Sequence, residues 1–213
     1  MLLSLPFTLH NAQSYLSRAF EFTRQFLFKW TVNWRFVGEE TFLSKSFSLT
    51  LLAAHISLLI LFTTTRWLKP SQQSIPSIVA SILKPPTPAA QAKISARVTP
   101  GFILVTMLSA NAIGMLCARS LHYQFYSWIV WATPALLWRA GYHPLLQYAF
   151  WGAQEYAWNV FPSTEFSSMV VVQMLAVTVV GVWYGTRKDV VVGGGGGGGG
   201  GGDAHKVKHQ HVE

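Results

Sequence analysis

Residues 47–65 read FSLTLLAAHISLLILFTTT, nineteen positions without a formal charge. As a helix rising 1.5 Å per residue the run is about 28 Å long, close to the thickness of bilayer hydrocarbon. It has no polar face to offer to water, so it reads as a membrane span and not as the helix of a soluble core. The composition of the whole chain agrees. Charged residues make up 11% of the 213, whereas soluble domains carry about a quarter. Nine tryptophans suit several interfacial belts. The formal net charge is +8. Its basic residues lie mostly between apolar runs, which points to orientation in the bilayer and contact with membrane lipids, and not to nucleic acid.

Toward the N-terminus, SYLSRAFEFTRQFLFKW (14–30) repeats Tyr15, Ala19, Phe22, Phe26 and Trp30 at helical spacing, with Arg18, Glu21, Gln25 and Lys29 on the other face. That stripe predicts an amphipathic helix, either lying in the interface or packed on other spans. The opening MLLSLPFTLHNAQ has no basic residue ahead of its apolar stretch and makes a poor signal peptide. Toward the C-terminus, residues 66–100 carry six prolines, many serines and five Lys or Arg with no acidic residue, the pattern of a flexible aqueous loop. Further spans are expected at 101–118, at 123–138 with a bend at Pro134, at 144–161 and at 167–184. Four crossings separate the basic loop from the tail, which places both on one side. Their Lys and Arg bias makes that side the cytosol. The ten glycines at 193–202 cannot bury a core and predict a disordered tail. His205, His209 and His211 within it read as part of a solvated basic tail, with weak metal binding as the alternative. The single cysteine, Cys117, excludes an internal disulfide. His55, near the middle of the first span, reads as a neutral imidazole bonded to a neighbouring helix, or else as a functional group.

The expected fold is therefore all-α: a polytopic membrane protein of about five transmembrane helices plus an N-terminal interfacial amphipathic helix. It divides into a luminal or interfacial segment (1–46), a transmembrane domain (47–184) containing the cytosolic Pro/Ser-rich loop (66–100), and a Gly-rich cytosolic tail (185–213).

The stretch CARSLHYQFYSW (117–128) puts polar groups between two apolar runs, where they are costly unless partnered. In the expected topology Arg119, His122, Tyr123 and Gln124 share one membrane face with Asn159, Ser163, Thr164 and Glu165, and with Arg35, Glu39 and Glu40. Three polar clusters meeting at one interface suit a site for a lipid-linked polar substrate. The plainer reading is that Arg119 snorkels to the headgroups while Tyr126, Trp128 and their neighbours form an interfacial belt. No P-loop, nucleophile elbow or metal-ligand spacing is present in the sequence, so neither a metal nor a cofactor is expected.

KWTVNWRFVGEETFLSKSF, ARSLHYQFYSW and EYAWNVFPSTEFSS, in that order, resemble the endoplasmic-reticulum α-1,3-mannosyltransferase family. These enzymes act on the dolichol-linked oligosaccharide of N-glycosylation. The resemblance covers about residues 14–184. It implies a multi-pass glycosyltransferase of the GT-C type that transfers mannose, with inversion, from dolichyl-phosphate mannose to the five-mannose acceptor on the luminal side. It also implies that the chain begins where the family's second half begins. The early spans and the acidic luminal loop that holds the family's base would then be missing, the catalytic residue would be unknown within this chain, and the chain alone would be inactive.

Within the resemblance, Arg119 is the candidate for gripping the donor phosphate, since a guanidinium can bond phosphate through two parallel hydrogen bonds. His122, Tyr123 and Gln124 would add polar contacts, and Tyr126 and Trp128 would pack on the polyprenyl chain or on sugar faces. Glu155 lies about 9 Å inside the luminal end of its helix and needs a partner, for which Arg119 or His122 would serve. Glu39 and Glu40 are acidic and luminal, although interface or capping roles suit them as well. Two other classes stay open: a noncatalytic membrane scaffold or lipid-binding half, and a transporter or channel subunit. The second predicts charges facing each other along several spans, whereas only His55 and Glu155 lie deep.

Overall fold

The computed structural model describes residues 5–19 and 27–189. Ten α-helices follow one another: α1 (Leu5–Ala19), α2 (Glu39–Leu43), α3 (Lys45–Phe62), α4 (Ile75–Leu83), α5 (Pro88–Ser95), α6 (Pro100–Cys117), α7 (Tyr126–Ile129), α8 (Ala132–Ala140), α9 (Pro144–Asn159) and α10 (Glu165–Gly185). Among the described residues there is no strand. Most helices begin where the sequence supplies an acceptor for the first free N–H groups. Ser44 accepts from the Phe47 N–H at 3.2 Å, Thr99 from that of Phe102 at 3.1 Å, and Thr164 from that of Ser167 at 3.0 Å. At α10 the Ser167 hydroxyl reciprocates, accepting from the Thr164 N–H at 2.9 Å, which closes a capping box.

Among the described residues three helical stretches are long and apolar enough to cross a membrane: Lys45–Ser71, Pro100–Cys117 and Glu165–Gly185. Half of the third is buried within the protein, against 11% of the first, so α10 is the central post and α3 the outer edge. Around α10 pack α6, α8 and α9, while α3 lies on α6. The crossings expected at 123–138 and 144–161 are each too short in helix to span alone, yet both run the length of α10. Tyr123 bonds the Val160 carbonyl at the end where α10 starts, and Arg139 pairs with Asp189 at the end where it stops. Helix α9 makes the return journey. The first of these two segments breaks at Val130 and Trp131, between α7 and α8, four residues ahead of the position where the bend was expected. Pro134 is still the cause, because it has no N–H to give to the Val130 carbonyl and its ring crowds that oxygen.

Two apolar clusters stack along the post. Val32, Met115, Leu121, Ile129, Trp158 and Val171 fill the half nearer the start of α10; Phe62, Ile113, Leu136, Val179 and Val182 fill the other. Small residues permit the closest approaches in the second half. A Cβ on Gly181 would stand 2.5 Å from the Tyr142 hydroxyl, and one on Gly185 would collide with the backbone of Arg139 and Ala140.

Two sequence expectations change. The helix expected through 14–30 does not reach its far end: α1 (Leu5–Ala19) covers its first residues, with an interruption at Asn11, residues 20–26 lie outside the described residues, and after an extended Leu27 residues 28–30 form a 3-10 turn ending in extended Thr31. The Asn11 side chain accepts the Ser14 N–H at 2.9 Å and so opens a new helical stretch where the apolar stripe begins. The stretch 66–100 is also more ordered than a loop. The α3 helix continues through a wider turn at Thr63–Trp67, and α4 and α5 follow, capped by Ser74 and Thr87. The glycine run and the tail histidines lie outside the described residues.

Candidate functional site

The polar cluster forms where three connections meet, at the start of α10. Helix α6 stops at Cys117, and the chain from 118 to 122 has no helical partners for its backbone. Buried backbone groups must find some, and the segment Thr31–Val32–Asn33 provides them. The Val32 N–H donates to the Leu121 carbonyl at 2.9 Å. Asn33, fully buried, accepts the Leu121 N–H at 2.8 Å and donates its amide to the Ala118 carbonyl at 2.7 Å. Thr31 donates to the same Asn33 side chain at 2.9 Å. The third connection joins through Ser163, whose hydroxyl donates to the Thr31 carbonyl at 2.7 Å. Trp34 turns the chain with a left-handed φ of 54°, after which the Phe36 N–H donates to Ser168 on α10 at 3.2 Å.

On this platform Arg119 reaches α3, donating to the Ser48 hydroxyl at 2.7 Å, and lies over the ring of Phe42 at 5.8 Å. His122 holds its Nδ1 3.0 Å from the Trp30 carbonyl; a carbonyl only accepts, so the proton is on Nδ1. Tyr123 donates to the Val160 carbonyl at 2.7 Å, and its ring lies 5.6 Å from that of Phe161, tilted by 59°. Gln124 and Trp128 are exposed; Trp128 meets Phe125 edge to face. One turn deeper, the Tyr126 hydroxyl donates to Glu155, and its ring sits 5.9 Å from that of Trp158. The partner expected for Glu155 was Arg119 or His122. Tyr126 takes that place, because Arg119 is drawn to α3 and His122 to the N-terminal segment. The second Glu155 oxygen and the Trp158 indole nitrogen are buried with no partner.

The remaining sequence candidates are spread over the same end. Arg35 lies over Phe28 at 5.0 Å and donates weakly to the Phe28 carbonyl at 3.4 Å. Glu39 and Glu40 occupy the first turn of α2 and Glu165 that of α10, where negative charge suits the helix dipole. Asn159 donates back to the Glu155 carbonyl at 2.7 Å, and Thr164 is the cap of α10. Sequence reasoning missed Asn33, Thr31 and Ser48. For Asn33 a signal existed: an amide inside the apolar string TVNW has to find a partner. Among the described residues no group of three His, Cys, Asp or Glu is placed to hold a metal.

The arrangement defines a class: a multi-helix membrane protein whose inter-helix connections build a buried polar network at one end of its spans. Within that class, the chain belongs to the ALG3 protein family, whose profile matches residues 1–168. It is 58% identical over 193 residues to the Dol-P-Man:Man(5)GlcNAc(2)-PP-Dol alpha-1,3-mannosyltransferase of Neurospora crassa, a match covering 89% of this chain and 44% of that protein. The proteins of the same name from Homo sapiens and Mus musculus are each 42% identical, over 87% and 86% of this chain and 41% of their own lengths. The chain thus spans well under half the length of these curated relatives. No solved structure matches it significantly.

Proposed function

We propose that the chain is the portion of a dolichyl-phosphate-mannose-dependent α-1,3-mannosyltransferase that holds the lipid-linked donor at the luminal face of the endoplasmic-reticulum membrane. Mannose passes from dolichyl-phosphate mannose to the five-mannose dolichol-linked oligosaccharide of N-glycosylation. The observation that carries this reading is the similarity to relatives so named over 86–89% of the chain. The polar end of the bundle, with segment 1–46, then faces the lumen, and the connection 66–100 and the tail 185–213 face the cytosol.

In the transfer a hydroxyl oxygen of the acceptor mannose bonds to the anomeric carbon of the donor mannose as the bond from that carbon to the phosphate oxygen breaks. The hydroxyl proton passes to a carboxylate base of the full-length enzyme, and the leaving dolichyl phosphate takes up the electron pair. Arg119 stabilises that charge from a position fixed by Ser48 and Phe42. Tyr126 and Trp128 line the way for the polyprenyl chain.

The test is a hybrid in which this chain replaces the matching region of the Neurospora crassa relative, placed in a host lacking its own enzyme. Six-mannose oligosaccharide formed per unit of inserted protein is measured. Arg119→Lys keeps the charge and loses the planar fork; loss of a charge-assisted contact costs about 1.5–3 kcal/mol, roughly a ten- to hundred-fold fall in rate. Arg119→Ala is expected to be slower still. Near-normal transfer by the lysine variant would return Arg119 to the role of a headgroup anchor, and an inactive parent hybrid would count against the function.

A further inference from the structure

The end of the bundle opposite the polar network holds a second built feature. Where α3, α6, α8 and α10 diverge, at the start of α6 and the end of α10, they enclose a cavity of about 560 Å³, within the ~300–1,000 Å³ of clefts that hold small ligands. Its inner wall is apolar, from Phe62, Val105, Leu108, Leu136 and Val182. Leu104 and Trp138 also line it and are 53% and 71% exposed, so the cavity is open on an apolar side.

Its rim is cationic. Arg66, Lys69, Arg97, Arg139 and Lys188 all line it, against the single carboxylate of Asp189. That carboxylate is committed to Arg139. Three of the other four cations are held by neutral oxygens: Arg66 donates to the Trp183 carbonyl at 2.8 and 2.9 Å, Lys69 to that of Arg187 at 2.9 Å, and Arg97 to that of Pro70 at 3.3 Å. Carbonyl dipoles fix these groups without neutralising them. In addition, the Arg97 Nε is buried and has no hydrogen-bond partner.

We infer that this cavity binds the headgroup and upper acyl chains of an anionic glycerophospholipid from the leaflet opposite the polar network. Fixed positive charge at a membrane surface selects for phosphate bearing net negative charge, and an apolar cleft open sideways selects for a ligand that arrives by lateral diffusion in the bilayer. A water-borne anion would have no use for that wall.

The test uses the full chain, purified and presented in detergent with equimolar phosphatidylserine and phosphatidylcholine, with retained lipid read by native mass spectrometry. Preferential retention of phosphatidylserine is expected. Lys69→Gln with Lys188→Gln is expected to weaken it about twenty-five-fold, at roughly five-fold per surface cation. Ala135→Phe, which fills the apolar wall and leaves every charge in place, is expected to abolish retention at unchanged helix content. Millimolar inorganic phosphate is expected to displace nothing. Equal retention of the two lipids, or full retention by both variants, would overturn the inference, and displacement by phosphate would replace it with a soluble-anion site. If the double variant fails to fold, the Ala135→Phe and phosphate arms decide.

Discussion

Asn33 caps a segment 88 positions away in the chain, and its one side chain joins two connections. Asn33→Ala removes the acceptor of the Leu121 N–H and the donor to the Ala118 carbonyl, each buried group left unpaired costing about 1–3 kcal/mol. Thermal unfolding in detergent, followed by tryptophan fluorescence, is expected to show a loss of several kcal/mol, with Asn33→Gln recovering little because its extra methylene moves the amide off both partners. The Tyr126–Glu155 pair behaves differently. Tyr126→Phe strips Glu155 of its hydroxyl donor when its other oxygen already has none, so a loss of about 1–3 kcal/mol is expected. Replacing both members, Tyr126→Phe with Glu155→Leu, is expected to be milder than Tyr126→Phe alone, because an apolar pair leaves no buried group unpaired. The same unfolding measurement checks it; additive losses would show that the two side chains act independently.

Among the elements, α10 carries the most packing, and its small residues set how near its neighbours can come. Gly185→Ala would push a methyl against the backbone of Arg139 and Ala140, which shifts only if α8 moves as a body. Gly181→Ala meets only the Tyr142 ring, a side chain that can turn aside at the loss of its 3.0 Å bond to the Val177 carbonyl. Overpacking costs about 1–3 kcal/mol, and the Gly185 variant is expected at the upper end and the Gly181 variant at the lower, by the same unfolding assay. The reverse order would mean that the α8–α10 contact is more yielding than its backbone geometry implies. The interrupted helix pair α7–α8 was partly visible beforehand, since Pro134 stood out in the sequence. The break falls one turn earlier because what proline removes is the bond to the residue four positions back.

For the molecule as a whole, the arrangement of crossings predicts which ends are reachable from the cytosol. Cys117 is buried, so cysteines introduced at Lys84 and Lys188 report cleanly. Both are expected to be modified by an impermeant reagent outside sealed microsomes, and cysteines at Lys45 and Glu165 to be protected until the membrane is opened; the opposite pattern would invert the bundle. The spans themselves could be read from the amino acids alone, because a nineteen-residue, mostly apolar run without a formal charge is best satisfied by hydrocarbon. The helix starts at Thr99 and Thr164 were equally local, each set by a hydroxyl three residues ahead of the N–H it accepts. What converges at the polar end was legible only as a side of the membrane. That Arg119 meets Ser48, that Glu155 meets Tyr126 and that Asn33 joins two connections are contacts between residues 29–88 positions apart, and no local periodicity encodes them. Tertiary structure decided them because buried polar groups must pair with whatever the packing of apolar faces brings within reach. The basic cavity at the other end follows the same division: the sequence supplied its cations one by one, and only the splaying of four helices gathered them around one space.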